Sequence, residues 1–207
     1  MKAARSILCA SLISLLICSA VFADEFYWPT WRGQPGTTYE RWEFPTNANP
    51  SAPDVFTNPY GMPSFSVTPS ATTHYWSSFE GRQGVWKFED FMYLDIPNNP
   101  VPNDTKLVWL QFTYYAAGGS RPIVYSNPPE SLIDVVYPPT LVPGSTFWYH
   151  TAIQLTLHPN PAFEQITIEP MDCTLYVDEI VVDTICFPEP TTALMLVLPT
   201  LALLRRR

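Results

Sequence analysis

Proline divides the central part of this sequence into short pieces. Residues 24–187 contain 20 of the 23 prolines, together with all seven Trp and all 11 Tyr. Proline breaks helix interiors and collects in turns and at sheet edges, whereas aromatic residues fit the half-buried surface of a sheet. No stretch between the prolines shows a long apolar stripe at helical spacing. The sequence therefore predicts an all-β domain.

Short runs of β-branched and aromatic residues, bounded by turn formers, predict about eight to ten strands. They cover residues 39–44, 74–80, 85–96, 106–116, 122–125, 132–137, 146–157, 165–169 and 175–182. The stretch 46–70 is rich in Pro, Asn, Ser and Thr and is predicted to be an irregular surface connection. This many strands in one domain predicts an antiparallel two-sheet sandwich of jelly-roll type.

The first 23 residues have the features of a cleavable secretory signal peptide. Lys2 and Arg5 supply a positive start, and residues 7–20 form an apolar helix too short to span a bilayer. Small residues precede the predicted cleavage point between Ala23 and Asp24. The expected partners at this stage are the secretion machinery and signal peptidase, and the mature domain covers residues 24–187.

The last 20 residues, 188–207, combine three parts in a fixed order. An apolar run separates a Pro-Glu-Pro motif from a terminal arginine cluster, and the motif residues are Pro188, Glu189, Pro190, Arg205, Arg206 and Arg207. In a chain with a signal peptide, this order resembles the PEP-CTERM sorting signal of exopolysaccharide-producing bacteria. The resemblance implies cleavage by an exosortase and transfer to the cell surface or extracellular matrix. The apolar run would enter the inner membrane with the arginines on the cytoplasmic side.

The apolar run of residues 191–204 is short for a permanent anchor. As a helix it would be about 21 Å long, whereas the hydrocarbon core of a bilayer is about 30 Å thick. The short C-terminal hydrophobic helix is therefore either a temporary sorting handle or an anchor in a locally thinned membrane. The sequence leaves both alternatives open, as well as a tail that docks on the domain.

The mature domain is strongly acidic. Residues 24–187 contain six Lys and Arg against 18 Asp and Glu, which gives a formal charge of −12. Binding to phosphate backbones requires a cationic face, so nucleic acid is excluded as a partner. Exopolysaccharide, which needs no such face, remains as an expected partner outside the cell.

No catalytic motif is recognisable in the domain. The sequence lacks a G-x-S-x-G elbow, an H-E-x-x-H pair and a phosphate-binding glycine loop. The three histidines, His74, His150 and His158, are predicted to be structural. We therefore expect a non-catalytic surface or matrix protein. The alternative is a secreted carbohydrate-active enzyme, similar to glycoside hydrolases, with two convergent carboxylates among the 18 acidic residues.

Four aromatic residues lie near the start of the mature domain, namely Tyr27, Trp28, Trp31 and Trp42. Exposed rings of this kind can stack on the apolar face of a sugar, which would make a glycan-binding platform. The rings would otherwise plug the open end of the sandwich. The sequence favours the second interpretation without excluding the first.

The C-terminal part of the domain contains candidates for a calcium site and a disulfide. The acidic residues are Glu169, Asp172, Asp178, Glu179 and Asp183. Asp178 and Asp183 are the calcium candidates, since carboxylate oxygens suit calcium. Asp178 and Glu179 would point to opposite faces of a regular strand and so would not easily serve one site. A solvated edge is the favoured alternative, and no other cofactor is expected. Cys173 and Cys186 could be oxidised after export, although one straight strand would hold them about 43 Å apart.

Overall fold

The structure is a computed structural model of the 207-residue chain. It describes residues 27–99, 105–116, 121–129, 132–171 and 174–187. The predicted signal peptide with its predicted cleavage point, the predicted sorting tail with its predicted hydrophobic helix, and the residues Asp172 and Cys173 lie outside the described residues. Within the described ranges the chain forms strands, turns and loops but no helix, and so these ranges contain no helix that could cross a membrane.

Twelve strands make up the described domain, and the all-β prediction is confirmed. They are β1 (Thr37–Trp42), β2 (Val55–Thr57), β3 (Ser64–Val67), β4 (His74–Phe79), β5 (Arg82–Phe88), β6 (Met92–Pro97), β7 (Thr105–Tyr115), β8 (Pro122–Asn127), β9 (Leu132–Leu141), β10 (Trp148–Leu157), β11 (Phe163–Pro170) and β12 (Leu175–Phe187). Their pairings are antiparallel and form two sheets, one of eight strands and one of four.

The larger sheet has the strand order β2-β1-β12-β7-β10-β9, and the β4–β5 hairpin joins it through β12. One edge of β12 is shared, because β5 pairs with Leu175–Val177 and β1 pairs with residues 180–185. The strands β5 and β1 therefore lie end to end. Gly84 permits this close approach, since its φ is +74° and an added Cβ would lie 2.3 Å from the carbonyl oxygen of Phe44.

The smaller sheet has the order β3-β6-β11-β8 and packs against the larger one. In the strands that line the core, alternate residues enter the space between the sheets because successive side chains of a strand point to opposite faces. The inward residues of β7, for example, are Val108, Leu110, Phe112 and Tyr114, and all are at most 2% exposed. The two sheets thus enclose one continuous apolar core.

Two predictions of local structure were wrong. The stretch 46–70 is not an irregular surface connection, because it contains β2 and β3, and Phe65 and Val67 of β3 lie in the core. The predicted single strand 85–96 is in fact β5 and β6, which belong to different sheets. In both places the apolar runs are short, and pairing with distant strands decides their conformation.

Strand β9 projects beyond the smaller sheet. It forms the free edge of the larger sheet, and every residue from Leu132 to Leu141 is exposed. Ile133 and Val135 pair with core residues of β10, yet they are 40% and 58% exposed. The described edge of the larger sheet at β9 is therefore an exposed apolar margin.

Candidate functional site on the outer face of the larger sheet

The outer face of the larger sheet carries buried polar side chains. We call Gln111, Thr113, His150, Glu179 and Asp183 the polar row; each is at most 5% exposed. They point away from the core on β7, β10 and β12, the three central strands of the sheet. A second layer must therefore cover this face, and the N-terminal segment of residues 27–36 supplies part of it.

Tyr27 attaches the N-terminal segment to the polar row through two hydrogen bonds. The Gln111 side-chain Nε2 donates to the Tyr27 carbonyl oxygen at 2.8 Å, and the Tyr27 backbone N–H donates to Gln111 Oε1 at 3.3 Å. The Tyr27 ring stacks on Tyr137 of β9, with centroids 3.6 Å apart. The segment thus bridges β7 and the edge strand.

His150 is a neutral, hydrogen-bonded histidine in this row. Gln111 Oε1 can only accept, so His150 Nε2, 3.2 Å away, carries the proton and donates to it. The other ring nitrogen, Nδ1, then accepts from the Thr113 hydroxyl at 2.8 Å. Burial, with a smaller contribution from the positive charge of Arg82, lowers the pKa of His150 to about 4. The imidazole is therefore uncharged at neutral pH.

Arg32 clamps the N-terminal segment to Asp183. Its Nε and Nη2 donate to the two carboxylate oxygens, each at 2.5 Å. The guanidinium also lies 4.6 Å from the ring centroid of Tyr39 and 5.6 Å from that of Trp28. Desolvation raises the pKa of Asp183, and the ion pair with Arg32 opposes this rise. The bidentate geometry fixes both the charge and the orientation of the carboxylate.

A β-bulge in β12 changes the direction of two acidic side chains. The pairing of β12 with β7 shifts register between Val177 and Glu179. Val177 and Ile180 both lie in the core, so Asp178 and Glu179 between them share the outer face. The prediction that these two residues point to opposite faces was wrong, because it assumed a regular strand. Arg82 Nη1 donates to Asp178 Oδ2 at 2.9 Å.

Aromatic rings close the outer face beside Arg82. Phe79 stacks on Tyr176 with centroids 4.6 Å apart, and Tyr115 lies edge-on to both Tyr176 and Trp148. The Arg82 guanidinium lies 5.3 Å from the Trp148 ring centroid. Together with Val85 and Val142, these rings form a second, smaller apolar cluster. The outer face is therefore packed at this end and polar in its middle.

The four predicted stacking residues do not form one platform. Trp42 is fully buried in the core between the sheets, so its proposed contact with a glycan was wrong. Tyr27 and Trp31 are half-buried, and Trp28 is 69% exposed. Three of the four rings thus lie on the N-terminal segment, and only Trp28 presents most of its surface to solvent.

The predicted calcium ligands are held by cations. Asp178 pairs with Arg82 and Asp183 pairs with Arg32, while Glu169 lies on β11 in the other sheet. Among the described residues, no group of three or more His, Cys, Asp or Glu side chains could hold a metal ion. Calcium binding stays a prediction, and titration calorimetry with calcium tests it.

A polar cluster inside the sandwich was missed by the sequence reasoning. Glu40, Lys106 and Glu164 are fully buried, and Lys106 Nζ donates to Glu164 Oε1 across the two sheets. Lys106 was read as the start of a strand, and nothing local to it indicates a buried partner. Cys186 lies close by, with Sγ 3.4 Å from Asn98 Oδ1. Its disulfide with Cys173 stays a prediction, since Cys173 lies outside the described residues.

Two comparisons with known proteins give no match. No protein-family model fits the sequence, and no curated protein is similar to it.

Proposed function

We propose that this chain is an exported, non-catalytic protein of the cell surface or extracellular matrix, sorted through a PEP-CTERM-like tail and associated with exopolysaccharide. The two ends of the sequence support export and sorting. One observation carries the non-catalytic role: two carboxylates of the outer face, Asp178 and Asp183, are held by arginines.

The arginine pairs oppose hydrolytic chemistry. A glycosidase needs one carboxyl group to exchange a proton and a second to act on the sugar from across a cleft. A guanidinium keeps its partner ionised and occupies the oxygens that a substrate would approach. The covering segment further restricts access, because Arg32 and Tyr27 both anchor it to the sheet. These contacts support a packed structural face.

The strand order supports a jelly-roll type of sandwich. The order β1-β12-β7-β10 in one sheet faces β6-β11-β8 in the other, and interleaving of early and late strands in this manner is typical of double Greek keys.

Exposed rings provide sugar contacts outside the polar row. Trp28, at 69% exposed, is the residue we expect to contribute most.

The alternative is a secreted carbohydrate-active enzyme. The bulge that brings Asp178 and Glu179 to one face is the observation that favours it. An assay of reducing-end release from the host exopolysaccharide separates the two functions. Retention of polysaccharide without release supports the non-catalytic module, and release that is lost in Glu179→Gln supports the enzyme.

The sorting proposal is tested in a host that contains an exosortase. The full chain should reach the surface or medium, whereas the variant with Arg205→Ala, Arg206→Ala and Arg207→Ala should stay with the inner-membrane fraction. Arg121→Ala, which changes an exposed arginine of the domain, is the matched control and should sort normally. Surface delivery of the triple variant, or of the wild type in a host without exosortase, would contradict the proposal.

A further inference from the structure

Lys106 and Glu164 join the central strands of the two sheets. Lys106 lies on β7, between β12 and β10, and Glu164 lies on β11, between β6 and β8. Both side chains are 0% exposed, and Lys106 Nζ donates to Glu164 Oε1. The amine and the carboxyl group are thus brought into contact from positions 58 residues apart in sequence.

The surroundings of this pair are largely apolar. Lys106 pairs across the sheet with Leu157, and Glu164 pairs with Ile96; both neighbours are at most 1% exposed. Glu164 Oε2 is buried without a hydrogen bond among the described residues. Water therefore does not solvate the two charges, and the unsatisfied oxygen adds to the cost of keeping them ionised.

A third buried group makes the electrostatics more favourable for a neutral pair. Burial raises the pKa of Glu40 to about 8, so this carboxyl is protonated at neutral pH. An ionised Glu40 would stabilise the Lys106 ammonium, with which it interacts, and the protonated Glu40 does not. Desolvation also raises the pKa of Glu164, which favours proton transfer to this carboxylate.

We propose that Lys106 and Glu164 condense spontaneously in the folded core to form an isopeptide bond between Nζ and Cδ. The ammonium first transfers a proton to the carboxylate, which leaves a neutral amine beside a neutral carboxylic acid. The nitrogen lone pair attacks Cδ, and the C=O electron pair moves onto oxygen. The C=O bond re-forms as the hydroxyl leaves with a proton from nitrogen, as water. No oxidant, reductant or cofactor takes part.

The product removes the two buried charges and one buried oxygen. A neutral amide replaces an ion pair that the apolar core stabilises poorly. Neutral lysine is an established protein nucleophile in desolvated sites, whereas the guanidinium groups of Arg32 and Arg82 stay protonated and keep their carboxylates as ion pairs. The bond would covalently link the two sheets.

The pair formed by Lys87 and Glu89 is an internal comparison. Its atoms are 3.8 Å apart, and its side chains are 25% and 36% exposed. Solvent reaches both groups there, so no condensation is expected. The proposal therefore depends on burial of the pair and not simply on lysine lying near glutamate.

Intact-mass spectrometry of the full chain, purified in folded form and then reduced and denatured, tests the bond. The wild type should be lighter than its processed sequence by one water molecule. Fragmentation should place the link between the peptides that contain Lys106 and Glu164, and not at Lys87. Lys106→Arg keeps the buried cation and should have its full sequence mass. The double variant Lys106→Met, Glu164→Leu replaces the pair by apolar side chains and should also have its full mass.

Two results would overturn the proposal. One is a folded wild type, verified by circular dichroism, whose mass equals that of its processed sequence. The other is a water loss that persists in Lys106→Arg, because the loss would then arise elsewhere in the chain. Neither result depends on how the tail is sorted.

Discussion

Glu40→Gln should stabilise the domain at neutral pH. Glu40 is fully buried, and its pKa rises from 4.5 to about 8 because burial disfavours the carboxylate. The folded state therefore keeps the proton over a range in which the unfolded chain releases it. The stability that the protonated group provides is fully present below pH 4.5 and is lost as the pH rises through about 8.

The magnitude follows from this difference in proton binding. Each pH unit above the unfolded pKa lowers the free energy of unfolding by about 1.4 kcal/mol. The wild type therefore loses roughly 3 kcal/mol of stability between pH 4.5 and pH 7. Glutamine mimics the protonated acid and keeps the oxygen that accepts from Asn58 Nδ2 at 2.9 Å. Its amide adds one buried N–H, which costs about 1 kcal/mol if it finds no acceptor. The expected net gain at pH 7 is about 2–3 kcal/mol.

Urea unfolding at several pH values between 4 and 9 measures this effect. The curves of wild type and Glu40→Gln should converge near pH 4 and diverge as the pH rises to 8. Glu43→Gln is the control, because its side chain is 42% exposed and its pair with Arg41 is superficial; we expect a change within about 0.5 kcal/mol. Parallel curves for wild type and Glu40→Gln, or a less stable variant at pH 8, would refute the reasoning.

Three further predictions concern two glycines of positive φ, the buried histidine and two tryptophans that differ in exposure. Gly84→Ala should lower the free energy of unfolding by at least about 3 kcal/mol, because the new Cβ meets backbone carbonyls and the φ is positive. Gly144→Ala, where the φ is +81° but the space around the Cβ is open, should lower it by only about 1 kcal/mol. Thermal melting of both variants measures the difference. In the folded state His150 should remain neutral down to about pH 4, so the fold should lose stability as the pH falls from 6.5 to about 4, where only the unfolded chain gains the proton. An imidazole titration of the folded protein by NMR with a midpoint near 6.5 would contradict the structure. Trp42→Ala should cost roughly 3–5 kcal/mol in unfolding experiments, whereas Trp28→Ala should leave stability within about 0.5 kcal/mol and weaken polysaccharide retention.

Strand patterning explains which parts of the fold were predictable. In β7 the alternation of side chains is unbroken, and the predicted strand 106–116 agrees with Thr105–Tyr115 within one residue. In β12 the alternation is broken at Asp178 and Glu179, because a bulge inserts an extra residue there. No glycine or proline nearby in the sequence indicates this bulge. The four-residue β3 was missed because a run of that length carries little periodic signal.

The sequence by itself determined the all-β class and the acidity of the domain, since these depend on composition and on the order of neighbouring residues; the two targeting patterns at its ends stay predictions. Only the tertiary structure decided which charges meet. Asp183 pairs with Arg32 across 151 residues, and Lys106 pairs with Glu164 across the two sheets. A strand's alternation fixes the face on which a side chain lies, but the neighbour on that face depends on how distant strands pack together.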